Sequence, residues 1–136
     1  MAEGFTFGGG PLAEGDYLGD WLKWEQDGYY SRATQTIVAA TAGILVDTEY
    51  PSGTLLETDG ATGVKQIDAG AGTVLGILRN PVRVRPGETV PVSMIVRDAV
   101  IDMRGIAWAA AGYATEALAQ TDIVTDLSGI IVAQKG

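Results

Sequence analysis

Cysteine and histidine are both absent from the 136 residues. Without cysteine there is no disulfide framework and no thiolate to act as nucleophile or ligand. Without histidine, Ser–His and Cys–His nucleophile pairs and the commonest transition-metal ligand are gone too. Basic residues are scarce: 9 Lys and Arg stand against 17 Asp and Glu, a formal charge of −8. That balance argues against a nucleic-acid partner, which needs a basic face for phosphates. It argues equally against an anionic membrane surface. No apolar run is long enough to span a bilayer, and the N-terminus has neither the basic start nor the apolar core of a signal peptide. The expectation is a soluble product that assembles where it is made.

What is abundant is glycine, 19 residues of it, with Val, Ile and Thr in short runs between turn formers. A chain of this length is one domain by size, and this composition favours many short strands. The organising stretch is Ser93–Met103. Val92, Met94 and Val96 alternate with Ser93, Ile95 and Arg97, the period of a half-buried strand. A strand running straight through Arg97-Asp98 would put one charge on the core side, so a bend or bulge is expected there, with the charges finding partners. Before it, Thr73–Leu78 reads as a strand in which Gly76 marks a bend or a close backbone approach. After it, Ala114–Leu127 reads as the one good helix, with Ala114, Ala117, Leu118, Val124 and Leu127 on a common face, Thr115 as N-cap and Gly129 as the stop. Gly129–Val132 closes the chain as a last strand.

Elsewhere, Thr34–Val46 is β-rich, Gly53–Glu57 is a short strand, and Asp59-Gly60 turns into Val64–Ile67. Val82 and Val84 alternate with Arg83 and Arg85 in an exposed strand. Arg85-Pro86-Gly87-Glu88 suits a type II turn, and Pro91 belongs at an edge or a strand start.

Residues 1–31 differ in character from residues 32–136. They hold Gly8-Gly9-Gly10-Pro11, six acidic residues against one Lys, and most of the aromatics: Phe5, Phe7, Tyr17, Trp21, Trp24, Tyr29 and Tyr30. Such composition suits an arm that gains its order on a partner through aromatic anchors. It equally suits an arm packed on its own domain or on a neighbouring subunit. Asp20–Trp24 could open a short helix with both Trp rings on one side.

Catalytic and metal-binding constellations are not found. Asp47 with Glu49, and Glu57 with Asp59, lack the alternating ligands and central Gly of a calcium loop and read as solvated turn acids. Gly8-Gly9-Gly10 lacks the ending of a phosphate loop, and Gly70-Ala71-Gly72 precedes a strand where a dinucleotide fingerprint would follow one. No cofactor or metal is implied. Arg79, Arg83 and Arg85 are the only basic cluster, able to clamp an acidic neighbour but more simply the charged protection of a strand edge. Arg97-Asp98 reads as a structural pair.

Val74–Leu78, then Ile95–Val100, then a helix running into Leu127–Val132 together resemble the lambda-type head decoration proteins of tailed phages. The likeness runs from about Thr34 onward and rests on the order and spacing of these motifs. It implies a bent β-ribbon or incomplete barrel of the β-clip kind with a small C-terminal α+β piece. It further implies a homotrimer without enzymatic activity, made in the host cytoplasm, that sits on the outer surface of the expanded head and bridges major capsid subunits. On that reading residues 1–31 form an arm that pairs with capsid protein, residues 32–136 form the core, and Gly76, Arg97, Asp98 and Gly129 are structural. The long aromatic N-terminal segment departs from the shorter members of the family. The rival readings are a β-rich interaction module, such as a fibre or adhesin subunit, and a dUTPase-like hydrolase. The hydrolase would need a catalytic Asp in a Gly-rich substrate motif, which the sequence does not show.

Overall fold

The computed structural model describes residues 21–26 and 31–133. Along the chain these form β1 (Leu22–Glu25), β2 (Arg32–Val38), a single helical turn α1 (Ala39–Ala42), β3 (Thr48–Tyr50), β4 (Leu55–Thr58), β5 (Val64–Gln66) and β6 (Gly76–Leu78). There follow β7 (Val82–Val84), β8 (Thr89–Ile95), β9 (Arg97–Ile101), a 3₁₀ turn (Met103–Gly105), α2 (Glu116–Asp126) and β10 (Ser128–Val132). The fold is mostly β, with a small helix-plus-strand piece at its C-terminal end. Among the described residues no sheet closes into a barrel: a five-stranded sheet runs β2-β8-β6-β4-β5, a three-stranded sheet runs β1-β9-β10, and β3 pairs with β7 in a separate two-stranded sheet.

The Ser93–Met103 stretch is the link between the two larger sheets. β8 belongs to the five-stranded sheet and β9 to the three-stranded one, and only Val96 separates them. The expected bend is there. Asp98 has φ +50, alone among the described non-glycine residues in being positive. Asp tolerates this left-handed region better than most residues do. The main-chain carbonyl of Asp98 accepts from Gln26 N at 3.1 Å and from Ser31 Oγ at 3.0 Å, which pins the bend to both ends of the β1–β2 connection. Gly129 lies opposite, since β10 is parallel to β9 with Ser128 against Arg97 and Ile130 against Ala99. Gly129 has φ +71, and a Cβ there would collide with the Asp98 carboxylate. A β-branched residue at position 98 is therefore the harsh test of the bend. Asp98→Val should cost about 1–2 kcal/mol, the usual left-handed penalty, and Asp98→Gly clearly less. Urea midpoints of the two variants check this.

The bend divides the interior into two apolar cores. The first gathers Trp21, Leu55, Ile67, Val74, Ile77, Ile95, Ile101, Met103, Ile123 and Leu127 where the three-stranded sheet, α2 and one face of the five-stranded sheet meet. The second gathers Ile37, Tyr50, Leu56, Val64, Leu78, Val84, Val92 and Met94 between the five-stranded sheet and the β3–β7 pair. Adjacent residues of one strand feed different cores: Leu55 and Ile77 serve the first, Leu56 and Leu78 the second. Strands buried on both faces read as continuous apolar runs. Gly76 makes the expected close approach, since a Cβ there would lie 2.8 Å from Met94 Cβ.

Several expectations are corrected. Thr34–Val46 is strand only to Val38. Ala39–Ala42 then makes a helical turn, favoured by its alanines and ended by Gly43 at φ +74. Thr73–Leu75 precedes β6 and is not part of it. Pro91 lies inside β8, opposite Thr36. It is tolerated because Ser93 O accepts from Arg79 N, on the side away from β2. By the two-residue alternation, the missing N–H of Pro91 points to that same side, beyond the last β6–β8 pairing at Leu78–Met94.

α2 is where expected and capped as expected, Thr115 Oγ accepting from Leu118 N at 3.3 Å. Its buried face is nevertheless Ala119, Ile123 and Leu127, while Ala114, Ala117, Leu118 and Val124 are exposed. Apolar residues occur all round this helix, so two faces competed, and the one carrying Ile123 between Ala119 and Leu127 at four-residue spacing won. Gly129 does not stop the helix. Leu127 is the cap and β10 starts at the next residue.

The type II turn is as read: Gly87 has φ +83, and Glu88 N donates to Arg85 O at 3.1 Å.

Candidate interaction surfaces

Of the aromatic arm residues, Phe5, Phe7, Tyr17, Tyr29 and Tyr30 lie outside the described residues, and Trp21 and Trp24 lie within them. The short helix expected from Asp20 is not there. Leu22–Glu25 is a strand because it pairs antiparallel with β9, Leu22 against Ile101 and Trp24 against Val100, with a bulge between. A helical spacing would have put both rings on one side, but the strand separates them.

Trp21 is 1% exposed and belongs to the first core. Its indole Nε1 donates to Ser52 Oγ at 2.8 Å, and Ser52 Oγ donates onward to Arg79 O at 2.5 Å. Its carbonyl accepts from Asp102 N at 2.6 Å. Trp21 is thus an internal anchor and not an exposed contact. Trp24, by contrast, is 55% exposed.

Trp24 does not stand alone. It is paired with Val100, and Val100 is paired with Ile131 of β10. Directly paired residues point to the same face of a sheet, so the three side chains form one row across all three strands. Leu22, Ala99, Ile101, Ile130 and Val132 point the other way, into or against the first core. Ile131 is 62% exposed and Val100 is half-buried. Val100 and Ile131 were not singled out from the sequence, yet a signal was present. Ala99-Val100-Ile101 and Ile130-Ile131-Val132 are three apolar residues in succession, and a strand with one buried face must turn the middle one outward. A second exposed apolar pair, Leu45 at 85% and Val46 at 69%, follows α1.

The arginines do not form one cluster. Arg83 Nη2 donates to Asp47 Oδ2 at 2.8 Å, and Arg85 lies 3.9 Å from both Asp47 and Glu88. These exposed pairs decorate β7, which among the described residues pairs with β3 alone. Arg79 is turned elsewhere, 4.0 Å from Glu25, whose carboxylate takes Arg32 Nε at 2.9 Å. The clamping of an acidic neighbour happens inside the chain.

Two further groups titrate away from their ordinary values. Burial, reinforced by the hydrogen bond to Asp122 at 2.7 Å, pushes the Tyr113 hydroxyl up. The Asp102 carboxylate is held down to about 2 from 3.8, first by the Arg104 side chain and then by the Arg104 backbone N–H. A depressed carboxylate contributes stability that is complete above the unfolded value and is lost as pH falls through the folded one. The window is therefore from about pH 4 down to about 2. Arg104→Ala should raise the Asp102 value toward 3.8 and remove this pair's share of the acid-range slope, as followed by carboxylate NMR titration. Among the described residues no group of three or more carboxylates is placed to hold a metal ion.

What the described residues assemble is an open β scaffold with two apolar cores that still turns a row of apolar side chains outward. The family model of the bacteriophage lambda head decoration protein D matches residues 11–128, and the chain belongs to that family, the phage proteins that decorate the capsid of the virion. No curated protein matches the chain.

Proposed function

We propose that the protein binds the outer surface of the expanded head as a homotrimer and staples neighbouring major capsid subunits together, after synthesis in the host cytoplasm. The observation that carries this reading is the family match, which runs over residues 11–128 and so takes in the whole five-stranded sheet together with β1, β9 and α2, ending as β10 begins. A decoration protein needs no catalytic group. Its task is to add contact area across subunit boundaries. Residues 1–31 act as the capsid-binding arm and residues 32–136 as the core domain. Trp21 and β1 form the arm's root, built into the fold. Phe5, Phe7, Tyr17, Trp24, Tyr29 and Tyr30 are the candidate contacts. Three arms linked in one trimer gain avidity through effective concentration.

Sedimentation equilibrium should return three times the monomer mass of 14.2 kDa. Removal of residues 1–20 keeps Trp21 and β1, so the truncated protein should fold and trimerise while its binding to bare expanded heads falls at least tenfold, the loss of one or more buried anchors. Heads pelleted with full-length and truncated protein give the comparison. Equal binding by the two would remove the arm from the interface.

A further inference from the structure

We propose that the outward face of the three-stranded sheet, the row Trp24–Val100–Ile131, is a capsid-contact surface that the folded domain adds to the arm. The inference rests on the capsid-binding reading above and extends it from the arm to β9 and β10. An apolar row across three adjacent strands, with Trp24 and Ile131 more than half exposed, has no counterpart within the described chain to cover it. Charged groups border it at both ends of β9: Asp98, with its carboxylate over Gly129, at one, and the exposed Arg104, paired with the buried Asp102, beyond the other. An apolar centre with a charged rim is how protein interfaces are built.

The choice of the shell over a second copy comes from where the chain leaves the structure. Trp21 and then β1 follow residues 1–20, and β10 leads to the last three residues, so the first and last strands both lie in this one sheet. A shell protein gripped by the arm is therefore held beside the Trp24–Ile131 row at high effective concentration. Packing of a shell segment against that row is then an intramolecular step and needs little further ordering.

Ile131→Lys is the discriminating variant, because it is distant in sequence from the arm and exposed enough to leave the fold intact. Trp24→Ser is its companion. Both are compared with wild type and with the protein lacking residues 1–20, by pelleting with bare expanded heads and by sedimentation equilibrium. The expected result is trimer mass and urea midpoint unchanged, with head binding about thirtyfold weaker for each variant, as for loss of an interface hot spot. Wild-type-like binding by Ile131→Lys, while removal of residues 1–20 abolishes binding, would assign the contact to the arm alone and overturn the proposal. Loss of trimer mass by Ile131→Lys would assign the face to a second copy and overturn it equally. If wild type itself fails to bind bare heads, the decoration reading fails and the proposal fails with it.

Discussion

Trp21→Ala should cost about 3–5 kcal/mol, the usual range for emptying the place of a large buried aromatic. For a domain of this size whose total stability is on the order of 5–15 kcal/mol, that is a drop of about 10–20 °C in melting temperature. The cause is more than lost apolar area. The indole Nε1 supplies a hydrogen bond to Ser52 Oγ, which itself donates to the Arg79 carbonyl, so truncation removes the donor to a half-buried Ser52. The ring also packs over Gly53, and the Trp21 Cβ and backbone lie against Gly105, so neither neighbour has a side chain to fill the void. Trp21→Phe separates the two contributions: it keeps most of the packing, loses the hydrogen bond, and should cost clearly less than Trp21→Ala. Thermal unfolding by circular dichroism reads both. A Trp21→Ala protein as stable as wild type would mean that the arm's root is not part of the core.

Gly53→Ala should cost about 3 kcal/mol through a different mechanism. Gly53 has φ +96, and an added Cβ would run into the carbonyl oxygen of Gly105 and come within 3.3 Å of Trp21 Cδ1. The backbone cannot step aside cheaply, since Gly53 N donates to Leu78 O at 2.8 Å and Gly53 O accepts from Ala107 N at 3.0 Å. Gly60→Ala is the control. Gly60 also has positive φ, +87, but nothing lies within 4 Å of its Cβ position. It should lose only the conformational penalty, about 1–2 kcal/mol. The difference between the two measures the tightness of the Gly53–Gly105–Trp21 contact. Equal losses would show that contact to be loose.

The legible parts of this fold were those in which one local pattern had no competitor. Ser93–Met103 announced both its strand period and its break, because a charged pair between apolar runs cannot lie flat across a core. Pro86-Gly87 allowed one turn type, and Thr115 before an apolar helix allowed one cap. The misreadings came where tertiary pairing decides between local options. Leu22–Glu25 is as compatible with a helical start as with a strand, and only β9 beside it settles the matter. Ala117, Leu118 and Val124 offered α2 an apolar face as good as Ala119, Ile123 and Leu127, and the packing of Ile123 into the first core chose. The presence of two cores is invisible in the sequence, since Leu55-Leu56 and Ile77-Leu78 read as plain apolar pairs and not as residues serving different interiors. The interaction surface was legible in part. Aromatic content pointed to the arm, and it did not separate Trp21, which is built into the first core, from the exposed Trp24. The Trp24–Val100–Ile131 row needed the register of three strands, two of them far apart in the chain.

We propose above that the molecule is a trimeric staple on the outside of the head. A cryo-electron microscopy reconstruction of the virion head tests it most directly. Expected is a protrusion of three copies on the outer surface at threefold positions, each copy reaching across a boundary between capsid subunits with its β1–β9–β10 sheet toward the shell. Density on the inner surface, single copies each resting on one capsid subunit, or heads that are complete without the protein would contradict it.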